Sequence, residues 1–285
     1  MHGASDAITV NFHGVRGSTP CHGEEIMGYG GNTSCVSLDI PGGRPILFDL
    51  GTGLRYFGAA HPADEPFRGT CLLTHLHWDH IQGLPFFKPL LHPDADVTVY
   101  APEQEGDLTV AEVFADTIKP PLFPIHFSMF PGDVGFADVA NEEFSIGDGV
   151  DVMSRLVPHV GNTLGFRVTW QGRSVAYLSD HQMPADGSFD VTPGVLELCA
   201  DADLVIHDAQ YTPEEFVVKS DWGHCTPEFA VYVAARAGAK RLALFHHDPM
   251  HHDDMLDLIA EQARRCGDDL GVDVFAARER HSVLV

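Results

Sequence analysis

Between residues 74 and 80 the chain reads Thr74-His75-Leu76-His77-Trp78-Asp79-His80, a run in which four side chains could each offer a lone pair to a divalent cation. The run follows the apolar stretch Thr70-Cys71-Leu72-Leu73. A strand passing into a turn sets alternate side chains on one side, so His75 and His77 can converge on one ion. Asp79 and His80, carried round at the start of a following helix, can then face a second. A lone histidine would read as an ordinary polar residue, but so dense a cluster reads as half of a metal centre. It predicts further ligands at strand ends elsewhere in the chain.

Three residues meet that requirement. His159, in Val157-Pro158-His159-Val160-Gly161, lies between an apolar run and a strand that starts near Leu164, and suits the first ion. Asp180 follows Val175-Ala176-Tyr177-Leu178-Ser179, where its two oxygens could bridge cations about 3.5–4 Å apart. His246 follows the stretch Arg241 to Phe245 and would close the second shell, with His247 beside it as the alternative. A mixed imidazole and carboxylate set without thiolate accommodates zinc, manganese or iron, and two divalent ions, zinc by default, are the expected cofactors.

These residues need strands to carry them. Ile8 to Phe12, Ser34 to Ile40, Pro45 to Leu50, Thr70 to Thr74 and Val97 to Tyr100 are short apolar runs separated by turn signals, Pro41-Gly42-Gly43-Arg44 among them, and they predict a strand-rich first half. A second set of strands is predicted at Phe166 to Trp170, Ser174 to Ser179, Leu204 to His207, Arg241 to Phe245 and Val272 to Ala276. Helical spacing appears at Leu108 to Ile118, Pro227 to Gly238 and Asp253 to Cys266. Two strand blocks with helices alongside predict a layered α/β sandwich. No repeat, low-complexity stretch or linker divides the 285 residues, so residues 1–285 are read as a single domain. Lys119 to Phe123 and the adjoining Pro124 read as an irregular loop that could overhang the site.

Composition limits the partners. Acidic residues outnumber basic ones 41 to 17, for a formal charge of −24, which disfavours long nucleic acid more than a small anion. No apolar run is long enough to cross a bilayer and the start lacks the pattern of a signal peptide, so a cytoplasmic protein with no membrane association is expected. The six scattered cysteines, none in a Cys-x-x-Cys pair, read as free thiols.

His-x-His-x-Asp-His followed by a spaced His, Asp and His resembles the signature of the metallo-β-lactamase superfamily, and the likeness spans nearly the whole chain. The resemblance implies an αββα sandwich of two mixed sheets with both ions at one edge, and alignment with the motif selects His246 over His247. Leu204-Val205-Ile206-His207-Asp208-Ala209-Gln210-Tyr211 looks like the His-Glu-Ala-Thr segment of ribonuclease Z and related phosphodiesterases, and Gly223-His224-Cys225-Thr226 is similar to their Gly-His-Ser-Thr motif. Carried over, His224 would be the general acid and Asp208 the carboxylate that orients it. Chemistry supports the pair independently, because phosphodiester cleavage expels an alkoxide that needs a proton. Thr226 and Pro227 beside it also read as a helix cap and first turn.

The mechanism so implied has a metal-bridging hydroxide attacking phosphorus, with Asp79 holding its proton. Asp49, in Leu47-Phe48-Asp49-Leu50-Gly51, matches a family position from which it could fix a ligand histidine, or it could be a simple turn residue. The span from His159 to Asp180 is too short for the arm with which ribonuclease Z grips tRNA, and the segments Gly14 to Pro20 and Tyr29 to Thr33 resemble the small-substrate branch. A small phosphodiester such as a cyclic nucleotide is therefore expected, with Arg16 either contacting substrate phosphate or pinning its glycine loop. The competing expectations are a lactone or thioester hydrolase on the same metals and a non-catalytic metal-binding sensor. A homodimer is plausible by analogy; His181 and His207 are unassigned, and His251 and His252 read as solvated residues opening a helix.

Overall fold

In the computed structural model, which describes residues 7–106 and 108–285, two seven-stranded mixed sheets pack face to face. In chain order the strands are β1 (Thr9–Gly14), β2 (Cys35–Asp39), β3 (Ile46–Phe48), β4 (Arg68–Leu72), β5 (Asp96–Pro102), β6 (Asp133–Val139), β7 (Glu142–Gly147), β8 (Val150–Leu156), β9 (Leu164–Trp170), β10 (Arg173–Leu178), β11 (Leu204–Asp208), β12 (Arg241–Phe245), β13 (Asp273–Ala276) and β14 (Ser282–Leu284). The first sheet runs β14-β1-β2-β3-β4-β5-β6 and the second β13-β12-β11-β10-β9-β8-β7. Helices α1 (Leu54–Ala60), α2 (Trp78–Ile81), α3 (Val110–Thr117), α4 (Pro193–Cys199), α5 (Pro213–Lys219), α6 (Pro227–Arg236) and α7 (Asp253–Leu270) complete the αββα layering that the resemblance implies.

The burial of β1 alternates residue by residue, turning Val10 and Phe12 inward. They join Val36, Phe48 and Leu72 of the first sheet against Val168, Tyr177, Ile206 and Phe245 of the second. Strand β11 is buried at all five positions because it lies inside a parallel block, β10 to β13, with α6 and α7 over its outer face. That is why Leu204-Val205-Ile206 carries no alternation. The other outer face, with Leu54, Phe87 and Phe114, is closed by α1, α3 and short turns.

Parallel strands end together. Asp180, Asp208 and His246 follow or close β10, β11 and β12, so one edge of the second sheet presents all three. The turn after β4 meets that edge where the Leu164 N–H donates to the Thr74 carbonyl at 2.9 Å, tying the two sheets beside His75.

The sequence reading does not foresee β6 to β8, β14 or the short helices α1, α4 and α5. Strand β6 edges the first sheet and β7 and β8 form a hairpin at the edge of the second, and exposed residues interrupt all three, so they lack continuous apolar runs. Helix α7 continues past Cys266 to Leu270 and stops at Gly271, whose φ of 79° is the left-handed cap. Four cysteines are buried and none is bonded among the described residues. No helix of the described residues is long and apolar enough to cross a membrane.

Candidate metal centre

Four ligands placed tetrahedrally about 2.0–2.2 Å from a zinc ion lie about 3.3–3.6 Å from one another. The seven side chains singled out in the sequence meet at this spacing in two groups. In the outer group His75 Nε2 is 2.8 Å from His77 Nδ1, and His77 Nδ1 is 3.3 Å from His159 Nε2. Asp180 Oδ1 stands 3.8 Å from both His75 Nε2 and His159 Nε2. In the inner group His80 Nε2 is 3.2 Å from Asp79 Oδ2 and 3.1 Å from Asp180 Oδ2, while His246 Nε2 is 3.2 Å and 3.5 Å from the same two oxygens. Asp180 thus turns one oxygen to each group.

The protonation pattern fits cations in both places. Burial pushes the pKa values of His75, His77 and His159 down, so their lone pairs are free at neutral pH. Burial would also depress His80, but Asp79, Asp180 and Asp49 around it raise it well above its ordinary value. Burial would raise Asp79 and Asp180, yet the surrounding histidines hold both down. A proton on His80 therefore sits where a positive ion would otherwise balance the two carboxylates. His80 Nε2 and Asp180 Oδ2 are buried without a hydrogen-bond partner, although they face each other across that point. Buried polar atoms rarely stay unmatched without cause, and a shared cation matches both.

Asp79, His80 and His159 are held from behind. Asp49, in the left-handed region at φ 57°, accepts hydrogen bonds from the Thr74 N–H and hydroxyl at 2.8 and 2.9 Å and from the Tyr177 hydroxyl at 2.8 Å. It lies 2.8 Å from His80 Nδ1, which donates to it and leaves Nε2 facing the centre. His159 Nδ1 is 2.7 Å from the Gly223 carbonyl, fixing its tautomer in the same way. Gly223 has φ 97°, and a side chain there would come within 2.5 Å of the His159 ring. The Ser18 N–H donates to Asp79 Oδ2 at 2.7 Å. A side chain at Gly17 would overlap the His246 ring. Gly17, Ser18, Tyr177 and Gly223 were not foreseen as parts of the site; glycines next to candidate functional residues were the signal available for two of them.

His224 joins the centre from the second sheet's edge. Its Nδ1 is 2.8 Å from Asp208 Oδ2, and Asp208 is itself fixed by the N–H groups of His181 and Gln210 at 3.1 and 3.0 Å. The ring stacks on His246 with centroids 5.0 Å apart. Burial opposes charge on His224, but Asp208 first, then Asp180 and Asp79, raise its pKa above the ordinary value. With Nδ1 engaged, Nε2 carries the proton it can give away. The cap foreseen beside it is present too, since Thr226 accepts from the Phe229 N–H and Pro227 opens α6.

Of the two readings of Arg16 the structure takes the loop-pinning one and corrects the substrate contact, and it corrects His251 as well. Arg16 is fully buried and donates to the backbone carbonyls of Gly30, Asp248 and His251 at 2.8, 2.9 and 2.7 Å, so its guanidinium clamps its own β1–β2 loop to the loop between β12 and α7 and is not presented to a substrate phosphate. His251 is not solvated: it is buried, with Nε2 3.0 Å from the Glu215 carboxylate, whereas His252 is exposed as expected. His247 turns its Nε2 to the Ala277 carbonyl at 3.0 Å, away from the ligand groups. His181 and His207 form a buried pair, Nδ1 to Nε2 2.9 Å, and burial keeps both lowered and neutral.

A family model described as "Beta-lactamase superfamily domain" matches residues 44–247. Ribonuclease Z of Geobacillus kaustophilus (strain HTA426) is 27% identical over 281 residues, covering 81% of this chain and 87% of that protein. The crystal structure of the metallo-β-lactamase fold protein YhfI from Bacillus subtilis superposes with a TM-score of 0.73 at 17% identity, over 99% of this chain and 100% of that one. A structure described as a new diphosphatase from the PhnP family gives 0.68 at 20% identity, over 97% of each chain.

Proposed function

Since the chain belongs to the metallo-β-lactamase superfamily, as a ribonuclease Z-like metal-dependent hydrolase, we propose that it cleaves small phosphodiesters, a cyclic nucleotide being the type substrate, at a two-ion centre. The observation that carries this reading is the His224–Asp208 pair, 2.8 Å between Nδ1 and Oδ2, set against the ligand His246. His75, His77, His159 and Asp180 would hold one ion, and Asp79, His80, His246 and the second Asp180 oxygen the other. Bound there, two divalent ions, zinc by default, would supply a water of lowered pKa and neutralise charge on the phosphoryl oxygens.

The chain's own groups do the rest. Asp79, a carboxylate at neutral pH, accepts a hydrogen bond from the attacking water and orients it. His224 gives its Nε2 proton to the departing alkoxide oxygen as the P–O bond breaks, and Asp208 stabilises the cation until then and holds the ring's direction throughout. Afterwards the ring is reprotonated from solvent. A carboxyl-ester or lactone substrate would give this pair less to do, and a sensor would have no use for it.

The small-substrate choice is supported by the chain between His159 and Asp180. It consists of β9 and β10 joined by Gln171 and Gly172, with no arm there to grip a folded RNA. The excess of acidic residues, 41 to 17, acts in the same direction. We read residues 1–285 as one domain, acting in the cytoplasm, with a homodimer the expected assembly. A turnover screen of cyclic nucleotides, linear phosphodiesters and lactones on metal-quantified protein tests the reading. Hydrolysis confined to phosphodiesters is expected; hydrolysis confined to lactones would overturn it, and ions bound without any turnover would favour the sensor.

A further inference from the structure

A cavity of about 220 Å³ opens beside the centre, and nothing in the chemistry above uses it. Trp78, Phe86, Leu122 and Phe123 wall it, and Gln82 and Thr117 supply polar atoms. Trp78 is 59% exposed, Phe86 60% and Leu122 70%. Scattered exposed apolar side chains are ordinary, but these converge on a single concave surface, with Phe86 and Phe123 edge to face at 5.9 Å. The proline-rich loop after α3 contributes Leu122 and Phe123, so it borders this cavity.

Its position ties the cavity to the reaction. Trp78 stands in the chain between the ligands His77 and Asp79, and His77 is the exposed member of the ligand set. The α2 segment that carries Asp79 and His80 thus also lines the cavity, through Trp78, Ile81 and Gln82. The His159 ring has its centroid 5.1 Å from that of His77 and 5.6 Å from that of the proton donor His224. The proton donor His224 belongs to the second sheet's edge, whereas the cavity is lined by α2, α3 and the loop after α3 on the first sheet's side, so a leaving group held at His224 leaves the cavity's side to the group retained on phosphorus.

We infer that this cleft receives a planar aromatic or heteroaromatic ring carried on the part of the substrate that stays with the phosphate, as a nucleobase would be. The inference rests on the phosphodiester reading and narrows its substrate class. Pockets for drug-sized ligands run to about 300–1,000 Å³, so this one suits a single ring system and no polymer. Stacking on aromatic walls tolerates ring identity, while Gln82 and Thr117 offer hydrogen bonds to ring heteroatoms.

The test compares bis(p-nitrophenyl) phosphate with methyl p-nitrophenyl phosphate on metal-loaded protein. Both release p-nitrophenolate, so only the retained group differs. Phe86→Ala and Leu122→Ser change exposed side chains and leave the fold intact, and Thr117→Trp fills the cleft instead of emptying it. All three should lower kcat/KM for the aryl ester relative to the methyl ester by about tenfold, through KM with kcat kept. An unchanged ratio in all three overturns the inference. Failure of the unaltered protein to cleave either ester overturns the phosphodiester reading itself. Sedimentation of the same variants covers the other occupant: if they dissociate a dimer and leave the ratio alone, the patch is an interface between copies and the inference fails.

Discussion

In the outer ligand group His77 is exposed and His159 is steadied by one backbone carbonyl, whereas in the inner group Asp79, His80 and His246 are all buried, with His80 braced by Asp49 and Asp79 by the Ser18 N–H. Asp49 is in turn fixed by Thr74 and Tyr177. The inner group is enclosed and held by hydrogen bonds within the fold, and the outer group reaches the surface through His77. A hydrolase with this layout separates holding an ion from offering one. Asp180 belongs to both halves, which makes its loss the broadest test of their distinction.

Asp180→Ala should lower activity by about 10³-fold or more and reduce bound metal below two equivalents, read by elemental analysis beside turnover. Retention of two ions would mean the halves are held independently. His224→Ala leaves both halves intact and should cost about 10²–10⁴-fold in kcat for alkyl leaving groups, with little effect on p-nitrophenyl esters, which depart without a proton. The sign of the pH dependence follows from the raised pKa of His224: the acid form dominates below that value, so turnover of alkyl esters falls as pH climbs through it. The variant should lack that alkaline limb. An identical pH profile in the variant would remove His224 from proton transfer.

Asp49→Asn should weaken the inner position by about 10–100-fold and spare the outer one, so that two steps in a chelator titration draw together. A change in the outer step alone would contradict the assignment of Asp49 to His80. The smallest kinetic effect is expected from Arg16→Met. Freeing three buried carbonyls should cost roughly 2–4 kcal/mol in denaturant unfolding while kcat/KM of the loaded protein stays within about threefold. A tenfold rise in KM with stability unchanged would restore Arg16 as a substrate contact.

How much of this was legible in the sequence depended on where each signal lived. The ligand run from His75 to His80 is local, so its spacing is visible without a fold. Asp180 and His246 were readable because each follows a recognisable apolar strand, and His159 because it precedes the strand that starts at Leu164. The layering followed from two strand blocks, although β6 to β8 were hidden by the exposed residues that interrupt them. Arg16 was left between two readings and His251 was misplaced for one physical reason. Polar side chains are taken as exposed unless a partner is known, and their partners, loop carbonyls and Glu215, are set by long-range packing that no spacing encodes. The aromatic cleft was invisible for the same cause, since Trp78 and Leu122 meet only through the loop's return.

The account rests on ions and side chains acting together at one edge of the sandwich. The most direct measurement is the rate of bis(p-nitrophenyl) phosphate hydrolysis by chelator-stripped protein as a divalent metal is added back in counted equivalents. The rate should rise from background and level off at two equivalents per chain. Full activity without metal, or none at two bound equivalents, would contradict it.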